Sequence, residues 1–471
     1  MPAPTPNYTP YKNLPPLAGL CSFEEAMKPG LSIEECTTRL KRIHYAFKRL
    51  HEILTARITS EPIYELKTAF AHHAYLCAEH ATAIRQRVSE MREPPLGLDE
   101  VPHPDLEQYF DEIRAAPTLA FVYGVYLHAM PACKVAIDRY QFETHPLTDA
   151  PSKRVLKFAR FELDEVMAYG FGASIRLNAK RHPNWYPILV VLLQNARGID
   201  GCETETQAWA KLPVDYSRKP VVFDPVPRRD ERFADLWNQG VNAEAFLYSP
   251  EFASKDKVLM MLFKRLREVD VPEMMASIVA ETPGKPWGYY RDMSRQIWDE
   301  ARHSMMGEVG FVALGVDWTK ARITWNWSYR LNTECTPLER HGVLFFIEQG
   351  LMPKTGKRYE YEVATDSGLP LAKTIQDFDW ADEVLHAQIG REWYVKQFGS
   401  LQEALDFGDK AWAKITSNWA SVKEQGLTEH ENWWPGIYLQ ACVAAGVEPD
   451  AKVLGYSKTY EGQRADRKTV G

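Results

Sequence analysis

The chain has 471 residues, 25% of them charged and 45% hydrophobic, with a formal net charge of -7, so it is long enough for two packed cores and ordinary in composition for a globular protein. The acidic balance offers no basic field to a nucleic-acid backbone, and no nucleic-acid partner is expected. Seven scattered cysteines that never form Cys-x-x-Cys fit free thiols in a reducing compartment, exclude a fused rubredoxin-like iron site and make any electron donor an external one.

In chain order, residues 1–30 read as a proline-rich arm without the basic-then-apolar pattern of an export signal. No apolar run is expected to cross a membrane, which points to the cytoplasm. Ser32 then caps a helix with Glu34 and Glu35 in its first turn, and Leu40, His44, Phe47, Leu50 and Leu54 recur at helical spacing. Further helices are predicted over 62–91, ended by Pro94-Pro95, over 104–143 with breaks near Pro117 and Pro131, and over 151–181. Residues 31–185 thus form an all-α first domain. Prolines at 187, 213, 220, 225 and 227 without sustained period mark 186–253 as an irregular linker.

Helices resume at Ser254 and continue through Val269, with Pro272 marking a kink or a restart. A Thr282-Pro283-Gly284 turn follows, then a helix from Pro286 to Leu314 and a crossover over 316–337. The next helix, Pro337 to Met352, leads into a polar loop containing Lys354-Thr355-Gly356 and Asp366-Ser367-Gly368. A helix from Pro370 to Phe398 completes a bundle over 254–400, and a helical tail occupies 401–471.

Two stretches of this second domain repeat one pattern: Trp298-Asp299-Glu300-Ala301-Arg302-His303 and Trp380-Ala381-Asp382-Glu383-Val384-Leu385-His386. In each, Glu and His three residues apart fall on one helical face, one turn apart. With 39 Glu and 13 His in the chain, roughly one Glu-x-x-His is expected by chance, and requiring one of the 24 Asp before Glu lowers that to about 0.05. Two copies point to metal ligation rather than to salt-bridged surface helices. In carboxylate-bridged di-metal bundles, two helices supply such a pair and two others supply one Glu each.

Glu348, on the helix before the second motif, is the third carboxylate, preferred over Glu339 near the Pro337 end. On the helix before the first motif, Glu273 lies about as far before the Pro283 turn as the motif lies after it; Glu268 is the second choice and Glu281 the third. Four carboxylates and two imidazoles suit iron first, then manganese or a mixed manganese/iron pair. Asp299 and Asp382 can accept the outer N–H of the histidines, crossed as Asp299 to His386 and Asp382 to His303. Phe345, Phe346, Met305 and Met306 would keep out water, and the pocket is expected beside the Gly307 and Gly390 faces. In the first domain, His72, His73, Glu79, His80, His128, Glu162 and Glu165 read as satisfied polar groups rather than a second metal site.

These residues, together with Glu348-Gln-Gly-Leu and Asp-Glu-Val-Leu-His-Ala-Gln-Ile-Gly-Arg-Glu-Trp, resemble the ferritin-like di-iron superfamily over about residues 255–400. The resemblance is nearest to an uncharacterised bacterial branch beside the tRNA-modifying di-iron hydroxylases. It implies two iron ions held by Glu273, Glu300, His303, Glu348, Glu383 and His386, and an oxygen- or peroxide-dependent reaction that hydroxylates, desaturates or N-oxygenates a small organic substrate. A ferroxidase or peroxide-scavenging protein and a metal-stabilised helical scaffold are the rival expectations. The chain could work alone or as a homodimer.

Overall fold

The computed structural model describes residues 8–92, 97–204, 212–352, 356–416 and 419–460. Pro94-Pro95, Lys354-Thr355, the start of the N-terminal arm and the end of the tail lie outside the described residues. The architecture is all-α, with no strand among the described residues. It divides into two compact units, one comprising residues up to 53 and 76–222, the other 54–75 and 223 onward.

The first unit holds most of α1 (Ile33–Ile58) and of α2 (Tyr64–Ser89), then α3 (Pro104–Ala115), α4 (Thr118–Glu143), α5 (Ala150–Arg176) and α6 (Tyr186–Asn195). Pro131 does not break α4, because a π-turn over Val125–Ala129 immediately precedes it and absorbs the irregularity. α4 is, against expectation, long and apolar enough to cross a membrane, and most of its apolar window is buried inside the protein. α6 falls in the predicted linker: Pro187 stands at the start of the helix, where its missing N–H costs nothing. Buried Glu112 of α3 accepts from Trp185 Nε1 at 2.8 Å and from the backbone N–H groups of Asp215, Tyr216 and Ser217. That pins the irregular segment which follows.

The second unit is a helical bundle built on α7 (Ser254–Arg267), α8 (Asp270–Ala280), α9 (Trp287–Ala313), α10 (Asn326–Glu334), α11 (Pro337–Gly350), α12 (Lys357–Asp366) and α13 (Pro370–Trp393). α14 (Leu401–Thr416) packs along α11, and α15 (Trp434–Ala445) buries Trp434 against Phe246. α9 and α13 lie side by side, with α7 against α9 and α11 against α13. α8 touches both α9 and α11, while α12 touches both α7 and α13. α12 lies inside the stretch predicted to be a polar loop, because its ten residues are too few for a sustained period between turn-forming flanks.

The predicted inward stripes are inward, but their glycines serve packing. A Cβ on Gly307 would run into the Leu266 backbone and stand 2.7 Å from Leu262 O, and one on Gly390 would run into the Phe345 ring. Neither glycine lines the large cavity, which opens instead among α7, α8, α11 and α12. The expectation of a pocket beside Gly307 and Gly390 is therefore corrected: a position without a side chain lets two helices close on each other and leaves no space behind. Gly307→Ala should cost about 1–3 kcal/mol, since backbone rather than a movable side chain blocks the added methyl. A lowered urea midpoint with unchanged slope would register this.

Candidate metal centre

The placement of Glu268, the second choice for the first-helix carboxylate, arises from a local backbone event. Pro272 has no N–H to give to the carbonyl four residues earlier, that of Glu268, so α7 cannot run on into α8. Val271 N–H reaches Glu268 O instead at 3.0 Å, and the chain tightens and restarts at Asp270. Glu268 thus sits at the break, with its carboxylate turned into the bundle. Glu273, beyond it, faces another way: it is fully buried against Lys67 and Arg229, with Arg229 Nη2 at 2.9 Å from Oε2 and Ser328 Oγ at 2.9 Å. Glu273 stands in neither cluster of potential ligands, so the preference for it over Glu268 is corrected. Glu281 pairs with Arg340, and Glu339 closes the capping box of α11 with Thr336.

Two clusters meet between α9 and α13. In each, one ligand atom per residue lies within 4.8 Å of all the others: Glu268, His303, Asp379 and Glu383 in the first, Glu300, Glu348, Glu383 and His386 in the second. Glu383 belongs to both. Glu300 faces both histidines, 3.5 Å from His303 Nδ1 and 3.1 Å from His386 Nδ1. His303 Nε2–H points at Asp382 Oδ2 (3.2 Å) and His386 Nε2–H at Asp299 Oδ2 (3.4 Å), a crossed pairing that aims both Nδ1 atoms into the cluster. Arg302 pairs with Asp299 and lies 2.9 Å from Asp382, while Arg295 holds Asp299 at 2.9 Å, so the outer aspartates are themselves fixed.

The chemistry of the donor set fits metal ions. The Nδ1 atoms of both histidines, Glu300 Oε1, and an oxygen of each of Glu268, Glu348 and Glu383 are buried without a well-formed hydrogen bond. Six orphaned ligand atoms around one volume are costly unless something else binds them. Protons take part of that role in the metal-free protein. Burial opposes a charged ring at His303, yet Asp382, Glu268 and Glu300 outweigh it and raise its pKa to about 10. Burial, then Glu383 and Glu300, pushes Glu348 well above the usual carboxylate range. Burial also acts on Glu383, but Lys357, Glu348 and His386 prevail and hold it well below. Metal ions bound at these atoms would displace the ring protons.

Four neighbours were not anticipated from the sequence. Asp379 lies one turn before Glu383 on the same face, a spacing that could have revealed it. Lys357 and Glu360 come from α12, and Arg265 from buried α7. Burial would raise the Glu360 pKa, but Lys264, Lys357 and Arg265 bring it down to about 2. In the first unit, His80 pairs with Glu162 at 2.9 Å and His128 Nδ1 with Tyr109 Oη at 2.7 Å. No metal-ligand cluster occurs there among the described residues. In the second unit, His72 stacks on Trp298 at 4.3 Å.

Glu268→Gln and Glu273→Gln should separate the two glutamates. The first should lower metal content while leaving the metal-free fold near its normal stability. The second should keep the metal yet destabilise by about 3–5 kcal/mol, since it removes the carboxylate shared by two buried cations, Lys67 and Arg229, of which Arg229 retains Asp270; metal analysis and urea unfolding of each variant distinguish the cases. The assignment rests on the chain's own geometry, because no family model, no curated protein and no solved structure matches it.

Proposed function

We propose that this chain is a non-haem di-iron oxidoreductase of ferritin-like type, using O2 to oxidise a small organic substrate. The observation that carries the reading is the junction of a ligand cluster with a cavity. A cavity of about 680 Å³ is lined by Glu268, Glu300, Glu348 and Glu383, by an apolar set that includes Met274, Leu331, Val343, Leu344, Ile347 and Leu351, and by the charged side chains of Glu244, Lys264, Arg265, Arg267 and Asp270. That volume suits a drug-sized molecule and far exceeds what Fe2+ or peroxide needs, which favours an organic substrate over the ferroxidase alternative.

Two bound Fe(II) ions would supply the electrons and Lewis acidity for oxygen reduction. The chain does the rest. Glu268, Glu300, Asp379, Glu348 and Glu383 with the two Nδ1 atoms would hold the ions, and Asp299 and Asp382 fix the imidazole rings. Val343, Leu344 and Ile347 on α11 present an apolar wall within about one and a half turns of Glu348, so an apolar substrate body would lie beside the ions and displace water. Hydroxylation consumes O2, two electrons and two protons and releases water, and the two electrons must come from a separate donor protein or small reductant.

Protein from iron-fed cells should carry about two irons per chain. O2 uptake by the reduced protein should quicken with an apolar substrate that fits the cavity, and Leu344→Trp should abolish the quickening while leaving iron content unchanged. Uptake governed by Fe2+ alone, indifferent to any organic compound and to the tryptophan, would instead establish the ferroxidase. Protein that binds metal but consumes no O2 would be the scaffold.

A further inference from the structure

The two ligand clusters share Glu383 yet differ in the charges around them. The cluster of Glu300, Glu348, Glu383 and His386 meets a neutral amide on its Glu348 side, Gln296 Nε2 at 3.3 Å from Glu348 Oε1. The cluster of Glu268, His303, Asp379 and Glu383 is instead contacted by two basic side chains, Lys357 and Arg265. Lys357 Nζ lies 2.9 Å from each oxygen of Asp379 and 2.8 Å from Glu383 Oε1. Arg265 lies 2.8 Å from Glu268 and also pairs with Asp379.

Lys357 cannot drift into solvent, because it is fully buried and its helix is anchored. Glu360, one turn along α12, pairs with Lys264 and accepts from Tyr248 Oη at 3.0 Å and Gln376 Nε2 at 3.3 Å. An ammonium group in contact with three carboxylate oxygens meets the demand that a metal ion would otherwise meet there.

We propose that the two metal positions are unequal: the Glu300, Glu348, Glu383 and His386 position fills first and tightly, while Lys357 competes with the ion for the Asp379 half, which fills second and weakly. The inference rests on the di-metal reading above. Lys357 is here a positioning residue that sets occupancy, as distinct from a group that reacts. A fixed positive charge a few ångströms from a buried cation site is enough to separate the two binding constants by about a hundredfold or more.

The test is an equilibrium titration of the full chain with Co2+ under buffered free-ion levels, reading stoichiometry by dialysis and coordination by visible absorption. The expected result is one equivalent bound tightly and a second bound about a hundredfold more weakly. Lys357→Met should strengthen the second constant at least about tenfold and leave the first within about threefold. Glu348→Gln, which keeps every cation in place, should weaken the tight site and spare the weak one, and it supplies an answer even if the lysine variant folds poorly. Two equal constants in the unaltered chain, or a second constant indifferent to Lys357→Met in a folded variant, would overturn the inequality and leave the di-metal reading intact. Failure of the unaltered chain to bind any Co2+ would overturn the di-metal reading, and this inference with it.

Discussion

Six carboxylates, Glu268, Glu300, Glu348, Glu360, Asp379 and Glu383, converge within one helical bundle where little or no water reaches them. Removing a carboxylate from water costs several kcal/mol unless a positive charge or a proton answers it, and a bundle that leaves the debt unmet does not fold. Lys264, Arg265 and Lys357 answer three of them, while Arg295 and Arg302 answer the outer aspartates. The remainder must be met by protons, as on Glu348, His303 and His386, or by metal ions. α12, whose first residue is Lys357, and the break after α7 both serve this constraint: each delivers a charged side chain to the cluster that a straight four-helix scheme would not.

What the sequence discloses and what it conceals divide along the same line. Glu300 with His303, and Glu383 with His386, are visible because their relation is local, one helical turn fixed by backbone geometry. The crossed aspartates are visible for the same reason, since each precedes its glutamate by one residue and so projects from the neighbouring face. Glu268 is visible only as a second choice behind Glu273, because its placement depends on a break whose position follows from Pro272 but whose direction follows from packing. Judging Glu273 by its distance from the Pro283 turn presumes one straight helix; the restart at Asp270 re-aims every later side chain. Lys357 and Glu360 are hidden by turn-forming neighbours, Gly356 on one side and Ser367-Gly368 on the other, which make a ten-residue helix read as loop.

Regular spacing also misleads where it is shared by two causes. Gly307 and Gly390 repeat at matching distances from the two motifs, which invites a functional reading. Their absent side chains instead admit the Leu266 backbone and the Phe345 ring. The spacing is common to ligands and packing contacts because both need the face of the helix that points inward. The cavity, lined by Trp327, Met274 and Tyr359 among others, lies away from these close helix contacts.

The two motif helices share a longer frame than Glu and His alone. On α9 the inward face reads Gln296, Glu300, His303; on α13 it reads Asp379, Glu383, His386, with the same steps of four and three residues. At the first position of this frame one helix carries a neutral amide and the other a carboxylate. The amide needs no cation, and its neighbour Glu348 can be left to a proton or a metal. The carboxylate does need one, and Lys357 and Arg265 converge on it from two other helices. A single position in an otherwise matched pattern thus separates the charge of the two halves, and the cations that meet it come from α7 and from α12, which packs against both α7 and α13.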